Sequence, residues 1–303
     1  MSSFNEQFLY SIIIILIGYV LKRSSVIKEK DGEGLSRIIF NLTLPALIIV
    51  TFNDITMEYS LFLLVIIAFI YGVISAVLGI FFFRKQKRDI KGMMVMMVSG
   101  FNIGLFAYPL VEGIWGREGL QYFGMFDVGN SFIVFGVIYL IGSYYSGERV
   151  PLNLKTITKK MSKSIPFMVY IVVVLLNLIG IKLPTFLIDT ADIISVANMP
   201  LSLLLLGIYL NFTFDKSYLP LIVKYMAVKY TVGIVVGIGL FLVLPFNDMF
   251  RYTVLIGLIL PASMSVLPYA VEFNYDKRFI GTVSNMTIIT SFLLIWLIAN
   301  FVI

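Results

Sequence analysis

The side chains of this sequence best suited to chemistry are amides, hydroxyls and a carboxylate set in long apolar stretches. Asp127 and Asn130 lie three residues apart, and Asn102 lies in an earlier apolar stretch. Residues three apart share a face of a helix. An amide offers two donors and an acceptor, so it can bind a carboxylate without the burial of a cation. We therefore expect Asn102 and Asn130 to bind an anionic substrate, with Asp127 beside them, although an interhelical hydrogen bond is the alternative for each amide.

A second set of oxygen-bearing side chains occurs late in the chain. The set consists of Ser263, Ser265, Asn285, Thr287 and Thr290. Such oxygens suit a substrate or Na⁺, although serine and threonine commonly bond to their own helix. We expect Ser263 and Ser265 to contact substrate, and Asn285, Thr287 and Thr290 to join Asp127 in coupling to H⁺ or Na⁺. Asp127 could equally be a fixed acid with a structural partner. No other cofactor or metal is expected.

Composition assigns the chain to the membrane proteins. Of its 303 residues 59% are hydrophobic, and the mean hydropathy is +0.97. The absence of histidine and cysteine excludes imidazole acid–base chemistry, thiol nucleophiles and the usual zinc ligands. The formal net charge is +6, and the basic residues lie in short loops between apolar stretches. This placement favours a role of these residues in membrane orientation over one in nucleic-acid binding. No P-loop pattern occurs, so we expect an ion gradient or the membrane potential to supply energy.

Ten apolar stretches have about the length that ~30 Å of hydrocarbon requires. A basic linker with Arg149, Lys155, Lys159, Lys160 and Lys163 separates the first five from the last five. The linker and the halves predict domain boundaries at 1–147, 148–164 and 165–303. The ten stretches cover about 8–21, 35–52, 59–83, 91–113, 119–145, 165–179, 186–210, 218–244, 249–273 and 279–303.

Loop charge predicts the orientation of these spans. With the N-terminus outside, the inside loops hold most lysines and arginines, whereas the outside loops hold Arg117, Lys182 and Arg251. The positive-inside rule then places both termini outside and the linker in the cytoplasm. We therefore expect a multi-pass protein of the cytoplasmic membrane. Lys224 and Lys229, near the cytoplasmic end of the eighth span, are expected to snorkel to the interface, and attraction of anions on that side is the alternative.

The fourth and ninth spans should be broken helices. The fourth contains Gly100, Gly104 and Pro109, and the ninth contains Pro261 and Pro268. Proline removes a backbone donor, and unsatisfied backbone groups are costly in lipid. Paired broken helices in two halves indicate a transporter's binding site. Pro109 and Pro268 are accordingly expected at a substrate-binding crossover, although single prolines are also common in membrane helices.

Three motifs resemble those of the auxin efflux carrier family, which includes plant auxin exporters and bacterial permeases for malate and other organic acids. Residues 41–48 (Asn-Leu-Thr-Leu-Pro-Ala-Leu-Ile) resemble its second-helix signature, and residues 101–110 (Phe-Asn-Ile-Gly-Leu-Phe-Ala-Tyr-Pro-Leu) its fourth-helix motif. Leu-Pro-Ala-Ser at 260–263, followed by Tyr-Asp at 275–276, is similar to its ninth helix. The resemblance covers essentially the whole chain. Asn102 matches the asparagine that the family uses for substrate.

The resemblance implies an all-α fold of ten transmembrane helices in two inverted five-helix repeats, with broken helices 4 and 9 crossing as in bile-acid symporters and sodium–proton antiporters. It implies a scaffold of helices 1, 2, 6 and 7, and a transport domain of helices 3–5 and 8–10. It further implies elevator-type alternating access and a homodimer through helices 2 and 7. The long hydrophilic loop of many plant members is replaced here by a short linker.

We therefore expect a secondary active carrier, not an enzyme, for a small mono- or dicarboxylate. A sodium-coupled carrier of the bile-acid-symporter type is the first alternative. A channel is second, and the lack of rings of charge counts against it. An intramembrane enzyme is third, because Asp127 has no evident acidic partner for paired-aspartate catalysis.

Overall fold

The computed structural model describes residues 4–53, 55–146, 154–211 and 216–301, and the regular elements in these ranges are helices. Seven continuous helical stretches within these ranges are long and apolar enough to cross a membrane, and Ile165–Leu178 is a shorter apolar helix. The chain is therefore an all-helical, polytopic membrane protein. The seven stretches are Phe4–Arg23, Asp31–Phe52, Tyr59–Phe82, Ile103–Tyr145, Thr185–Tyr209, Leu219–Val243 and Lys277–Phe301.

Within the described ranges the α-helices are numbered in chain order. They are α1 Phe4–Arg23, α2 Asp31–Ile38, α3 Leu44–Phe52, α4 Tyr59–Phe82, α5 Arg88–Ser99, α6 Tyr108–Phe132, α7 Ile138–Tyr145, α8 Leu154–Lys163, α9 Ile165–Leu178, α10 Thr185–Ser195, α11 Asn198–Tyr209, α12 Leu219–Val243, α13 Asp248–Gly257, α14 Val266–Glu272 and α15 Lys277–Phe301. π-Helical turns at Ile39–Thr43, Ile103–Ala107 and Ile133–Val137 join α2 to α3, precede α6, and join α6 to α7.

The long helices follow from uninterrupted apolar sequence. Helix α4 has 24 residues, which at 1.5 Å per residue span about 36 Å, enough to cross ~30 Å of hydrocarbon. Ile66, Ile70 and Val77 are exposed on one stripe of this helix. A continuous exposed apolar stripe is typical of a lipid-facing surface.

The fourth and ninth predicted spans are broken, and Pro261 lies in the second break, but Pro109 and Pro268 do not lie at a break. Helix α5 ends at Ser99 and is followed by extended backbone at Gly100, whereas Pro109 is the second residue of α6. Pro268 is likewise the third residue of α14. A proline in the first turn of a helix costs no hydrogen bond, because those N–H groups have no intrahelical acceptor.

The stretch Ile103–Tyr145 contains 43 residues, about twice what one crossing needs. Gly116 interrupts it with φ 59° and ψ −141°, a backbone conformation that glycine adopts without the steric penalty of a side chain. Helix α6 therefore consists of two parts that meet at Gly116. This position falls between the predicted fourth and fifth spans.

The basic linker contains a helix that the sequence did not predict. Helix α8 covers Leu154–Lys163, while Arg149 lies outside the described residues. Lys160 Nζ donates to Glu272 Oε2 at 2.6 Å and lies 4.1 Å from the ring centroid of Tyr139. The linker is thus tied to α14 by an ion pair.

The chain forms two compact units. The first contains Met1–Tyr59, Ile103–Gly124 and Ser162–Leu210. Its helices α1 and α11 pack closely at two glycines, since a Cβ at Gly18 would lie 2.3 Å from the Leu204 carbonyl oxygen. A Cβ at Gly207 would lie 2.0 Å from that of Ile15. Small residues allow such close helix contact in membranes.

The second unit contains Ser60–Asn102, Met125–Met161 and Asn211–Ile303. Its core includes four methionines of α5, Met93, Met94, Met96 and Met97, which are almost completely buried. Thioether side chains adapt to irregular gaps between helices. These methionines belong to the part of α5 that leads directly to the break at Gly100.

Candidate functional site

The two breaks pair with each other within the second unit. Residues 100–102 run antiparallel to residues 261–263, with Phe101 opposite Ala262. The Asn102 N–H donates to the Pro261 carbonyl at 2.9 Å, and the Ser263 N–H donates to the Gly100 carbonyl at 3.2 Å. Each break thereby supplies hydrogen-bond partners for backbone groups of the other break that have no partner within a helix. This satisfies the requirement that irregular backbone at membrane depth be buried in protein.

The first break is held by the side chain of Asn130 on α6. Asn130 Oδ1 accepts from the Phe101 N–H at 2.9 Å, and Asn130 Nδ2 donates to the Phe101 carbonyl at 3.1 Å. Nδ2 also donates to Asp127 Oδ1 at 3.1 Å. Both N–H donors of Asn130 are therefore engaged within the protein, and Asp127 lies one hydrogen bond from the break.

The second break is held in the same manner from α15. Thr287 Oγ1 accepts from the Ala262 N–H at 3.1 Å and donates to the Ser284 carbonyl at 2.7 Å. Ser291 Oγ donates to the Ile259 carbonyl at 2.7 Å. Thus each break is braced by polar side chains from the next long helix in the chain.

Of the predicted substrate residues, Asn102, Asn130, Asp127, Ser263 and Ser265 are brought together at the paired breaks. Asn102 is 5% exposed, and Ser263 is also buried. Ser263 Oγ accepts from the Ser265 N–H at 3.3 Å. These side chains form the candidate site, and they come from α6 and from the two breaks.

Other predicted residues lie elsewhere. Pro109 belongs to the first unit, and Pro268 is exposed on α14. Among the predicted coupling residues, Asn285 donates to the Asn211 carbonyl at 3.3 Å, and Thr290 is half-buried on α15. A cavity in the first unit, lined by residues that include Asn53, contains none of the predicted site residues.

Helix α12 contributes three residues that the sequence interpretation missed or misplaced. Tyr225 donates to the Met97 carbonyl at 2.8 Å, and Tyr230 donates to the Thr287 carbonyl at the same distance. The prediction that Lys229 snorkels to the interface is wrong. Lys229 is only 2% exposed, and its Nζ lies 4.5 Å from the Phe101 ring centroid. The four-residue spacing of Tyr225 and Lys229 was the available signal that they share a face.

The site is suited to non-covalent recognition. It offers amide and hydroxyl groups, one carboxylate and one ammonium at a backbone crossing. Within the described ranges no group of three or more acidic, histidine or cysteine side chains lies close enough to hold a metal. The arrangement can bind a small polar or anionic molecule by hydrogen bonds and charge.

Comparison with known proteins gives the same result from a family model and from two relatives. A family model described as membrane transport protein matches residues 4–299. An uncharacterized transporter of Methanothermobacter thermautotrophicus is 26% identical over 291 residues, covering 94% of each chain. An uncharacterized transporter of Methanocaldococcus jannaschii is 27% identical over 210 residues, covering 66% of this chain and 67% of the relative.

Proposed function

We propose that this chain, which belongs to the membrane transport protein family of the auxin efflux carriers, is a secondary active carrier of a small mono- or dicarboxylate. Family and relatives identify an integral membrane transporter rather than an enzyme. The observation that carries the substrate proposal is the antiparallel pairing of two helix breaks, with Asn102 in one and Ser263 in the other. Discontinuous helices that meet inside a transporter commonly form its substrate site.

The chemistry of the crossing supports an anionic substrate. The amide of Asn102 and the hydroxyl of Ser263 are hydrogen-bonding groups on irregular backbone at the crossing. Lys229 adds a positive charge to the same unit. A carboxylate is the common organic group that both accepts hydrogen bonds from an amide and a hydroxyl and pairs with a positive charge.

We also propose the ten-span fold with two inverted repeats. The interruption at Gly116 supports a division of Ile103–Tyr145 into the end of a fourth span and a complete fifth span. Helices α13 and α14 together have the extent of a broken ninth span. The matched bracing of the breaks, by Asn130 and by Thr287, supports a structural relation between the halves.

Elevator-type alternating access is part of the proposal, with the crossing carried by the transport domain. The second compact unit supports this assignment, because it contains both breaks and the helices α4, α12 and α15. Residues 103–124, expected in the transport domain, cluster instead with the first unit. We further propose a cytoplasmic-membrane location with both termini outside, and a homodimer through the second and seventh spans.

Sodium coupling is the alternative that a specific observation favours. Asp127 is the carboxylate beside the first break, and its Oδ1 already accepts a hydrogen bond from Asn130. A carboxylate at membrane depth can hold a cation or exchange a proton. Sodium-dependent binding that is lost in Asp127→Asn would assign the chain to this alternative.

Ligand-induced thermal stabilisation of the purified protein tests the function. A carboxylate at a hundred times its dissociation constant should add about 2.7 kcal/mol to the free energy of unfolding. Mono- and dicarboxylates are compared with their amides, each in sodium and in choline buffer. Stabilisation by a carboxylate in both buffers supports the proposal, whereas stabilisation by sodium alone supports the sodium-coupled alternative. Stabilisation by amides and acids alike would contradict anion transport.

A further inference from the structure

Lys229 is a buried lysine whose amine has no acidic partner among the residues that the structure describes. Its side chain is 2% exposed, and Nζ has no hydrogen-bond partner among the described residues. The ion pairs found in those ranges join Arg117 to Asp192, Lys160 to Glu272 and Arg251 to Asp248, and none includes Lys229. Buried charges in proteins are ordinarily paired.

The contact that Lys229 does make is insufficient to explain its burial. Nζ lies 4.5 Å from the ring centroid of Phe101. A cation–π contact stabilises an ammonium far less than the hydration shell that the group loses on burial. The aromatic ring also leaves the three N–H donors of the ammonium without the hydrogen bonds that an anion would accept. A lysine kept at membrane depth is therefore a candidate for a functional role.

Helix α12 holds Lys229 at a fixed place beside the first break. Tyr225 and Gly233 lie one turn before and one turn after it on the same face. The Tyr225 hydroxyl donates to the Met97 carbonyl at 2.8 Å, and a Cβ at Gly233 would lie 2.4 Å from the Leu258 carbonyl oxygen. The helix is thus docked against the residues that precede both breaks, with Lys229 between the two contacts.

Phe101, the residue under the ammonium, is itself fixed. Asn130 binds its N–H and its carbonyl, and its ring stacks on Tyr71 with centroids 5.9 Å apart. The ring centroid of Phe126 lies 6.2 Å from that of Phe101. The Lys229 amine therefore adjoins the central residue of the paired breaks, and no ion pair of the described residues includes it.

We propose that Lys229 binds the carboxylate of the transported anion at this crossing. The inference rests on the proposed function and deepens it by naming the residue that selects negative charge. No ion pair in the described ranges joins Lys229 to an acid of the protein, so a substrate carboxylate would supply the missing counter-charge. Binding would pair the two charges and make the occupied site less costly to bury than the empty one.

The experiment compares Lys229→Met with Lys224→Met. The control removes the same charge from the same helix, at a lysine whose Nζ donates to the Phe82 carbonyl at 2.8 Å. Purified full-length variants are titrated with benzoate, succinate and the matched neutral probes benzamide and succinamide. The readouts are the dissociation constant and the melting temperature with and without probe.

We expect wild type and Lys224→Met to bind a carboxylate probe in preference to its amide. Lys229→Met should weaken carboxylate binding at least about tenfold, since a charged hydrogen bond is lost. Without probe, Lys229→Met should melt at or above the wild-type temperature, because an unpaired buried charge has been removed. A lysine with a purely structural role would give the opposite shift in melting temperature.

Lys229→Gln and Lys229→Arg provide a second comparison in case the methionine variant folds poorly. Arginine keeps the charge and should retain more carboxylate binding than glutamine. Equal binding by these two variants, or an unchanged dissociation constant in Lys229→Met, overturns the role of Lys229 while the proposed function stands. A wild-type protein that binds the amides as well as the acids overturns the proposed function and this inference together.

Discussion

Asn130 binds both main-chain polar groups of Phe101, accepting from its N–H at 2.9 Å and donating to its carbonyl at 3.1 Å. The amide side chain thus replaces a strand partner at a point where the chain has left its helix. Extended backbone at membrane depth needs such a partner within the protein, because the hydrocarbon region holds no water that could form these hydrogen bonds.

Replacing this amide by an apolar group of similar size should destabilise the protein. Asn130→Leu leaves the Phe101 N–H and carbonyl without partners, at a cost of about 1–3 kcal/mol for each buried group. Thermal unfolding in detergent measures the change. Asn41→Leu is the matched control, because Asn41 is exposed and donates to the Arg37 carbonyl of its own helix turn. Equal melting temperatures for the two variants would show that Asn130 is not a brace.

The brace of the second break should respond to loss of a hydroxyl but not of a methyl group. Thr287→Val removes the acceptor of the Ala262 N–H, and the expected loss is about 1–3 kcal/mol of stability. Thr287→Ser keeps the hydroxyl and should lie closer to wild type in the same unfolding measurement. Thr290→Val, at a half-buried position on the same helix, controls for the general effect of valine. Equal destabilisation by serine and valine would show that the Thr287 hydroxyl does not brace the break.

Two glycines of α12 should respond oppositely to alanine. At Gly233 a Cβ would lie 2.4 Å from a backbone oxygen, so Gly233→Ala should displace the helix and cost about 1–3 kcal/mol. At Gly239 nothing lies within 4 Å of the added Cβ, so Gly239→Ala should stabilise the helix by up to about 1 kcal/mol. Unfolding midpoints of both variants test the close packing beside Lys229. A stabilising Gly233→Ala would contradict that packing.

Asp276 caps α15 outside the membrane-spanning segments. Its Oδ1 accepts from the N–H groups of Arg278 and Phe279, and Oδ2 accepts from the Tyr218 hydroxyl. Partial burial raises the pKa of Asp276. These hydrogen bonds and the charge of Arg278 together lower that pKa by a larger amount, so it lies below the ordinary value for an aspartate. The carboxylate therefore contributes stability that is present above about pH 4 and is lost as pH falls through the folded pKa.

Asp276→Asn tests this dependence, because asparagine can cap a helix but does not titrate. The stability difference between wild type and variant should be constant from neutral pH to about pH 5 and should shrink below about pH 4. Unfolding midpoints of both proteins across this range provide the measurement. A difference that stays constant down to pH 3 would show that the carboxylate charge does not support the cap.

The sequence predicted the long spans because hydropathy acts over many residues. The glycine, amide and proline content of residues 99–112 also located the first break in the correct stretch. The break lies at Gly100, however, and not at Pro109, since the outcome depends on whether proline falls within a helix or in its first turn. Hydropathy cannot distinguish these cases without knowledge of where the helix begins.

The pairing of the breaks could not be read from the sequence. Phe101 and Ala262 are far apart in the chain, and nothing local in either segment selects the other as a partner. Lys229 illustrates a related limit. Its distance from the end of a span was readable, but the face on which it lies depends on the packing of α12, which placed it against Phe101 instead of at the interface.

The most direct test of the account is carboxylate uptake by proteoliposomes containing wild type or Asn102→Ala. Alanine keeps the backbone N–H that donates to the Pro261 carbonyl at 2.9 Å, so the crossing and the melting temperature should be retained. Loss of the amide should lower uptake at least about tenfold, because a hydrogen bond to a charged ligand is removed. Asn41→Ala, at the exposed position, should transport as wild type does. Undiminished uptake by a folded Asn102→Ala protein would contradict the assignment of the substrate site to the crossing.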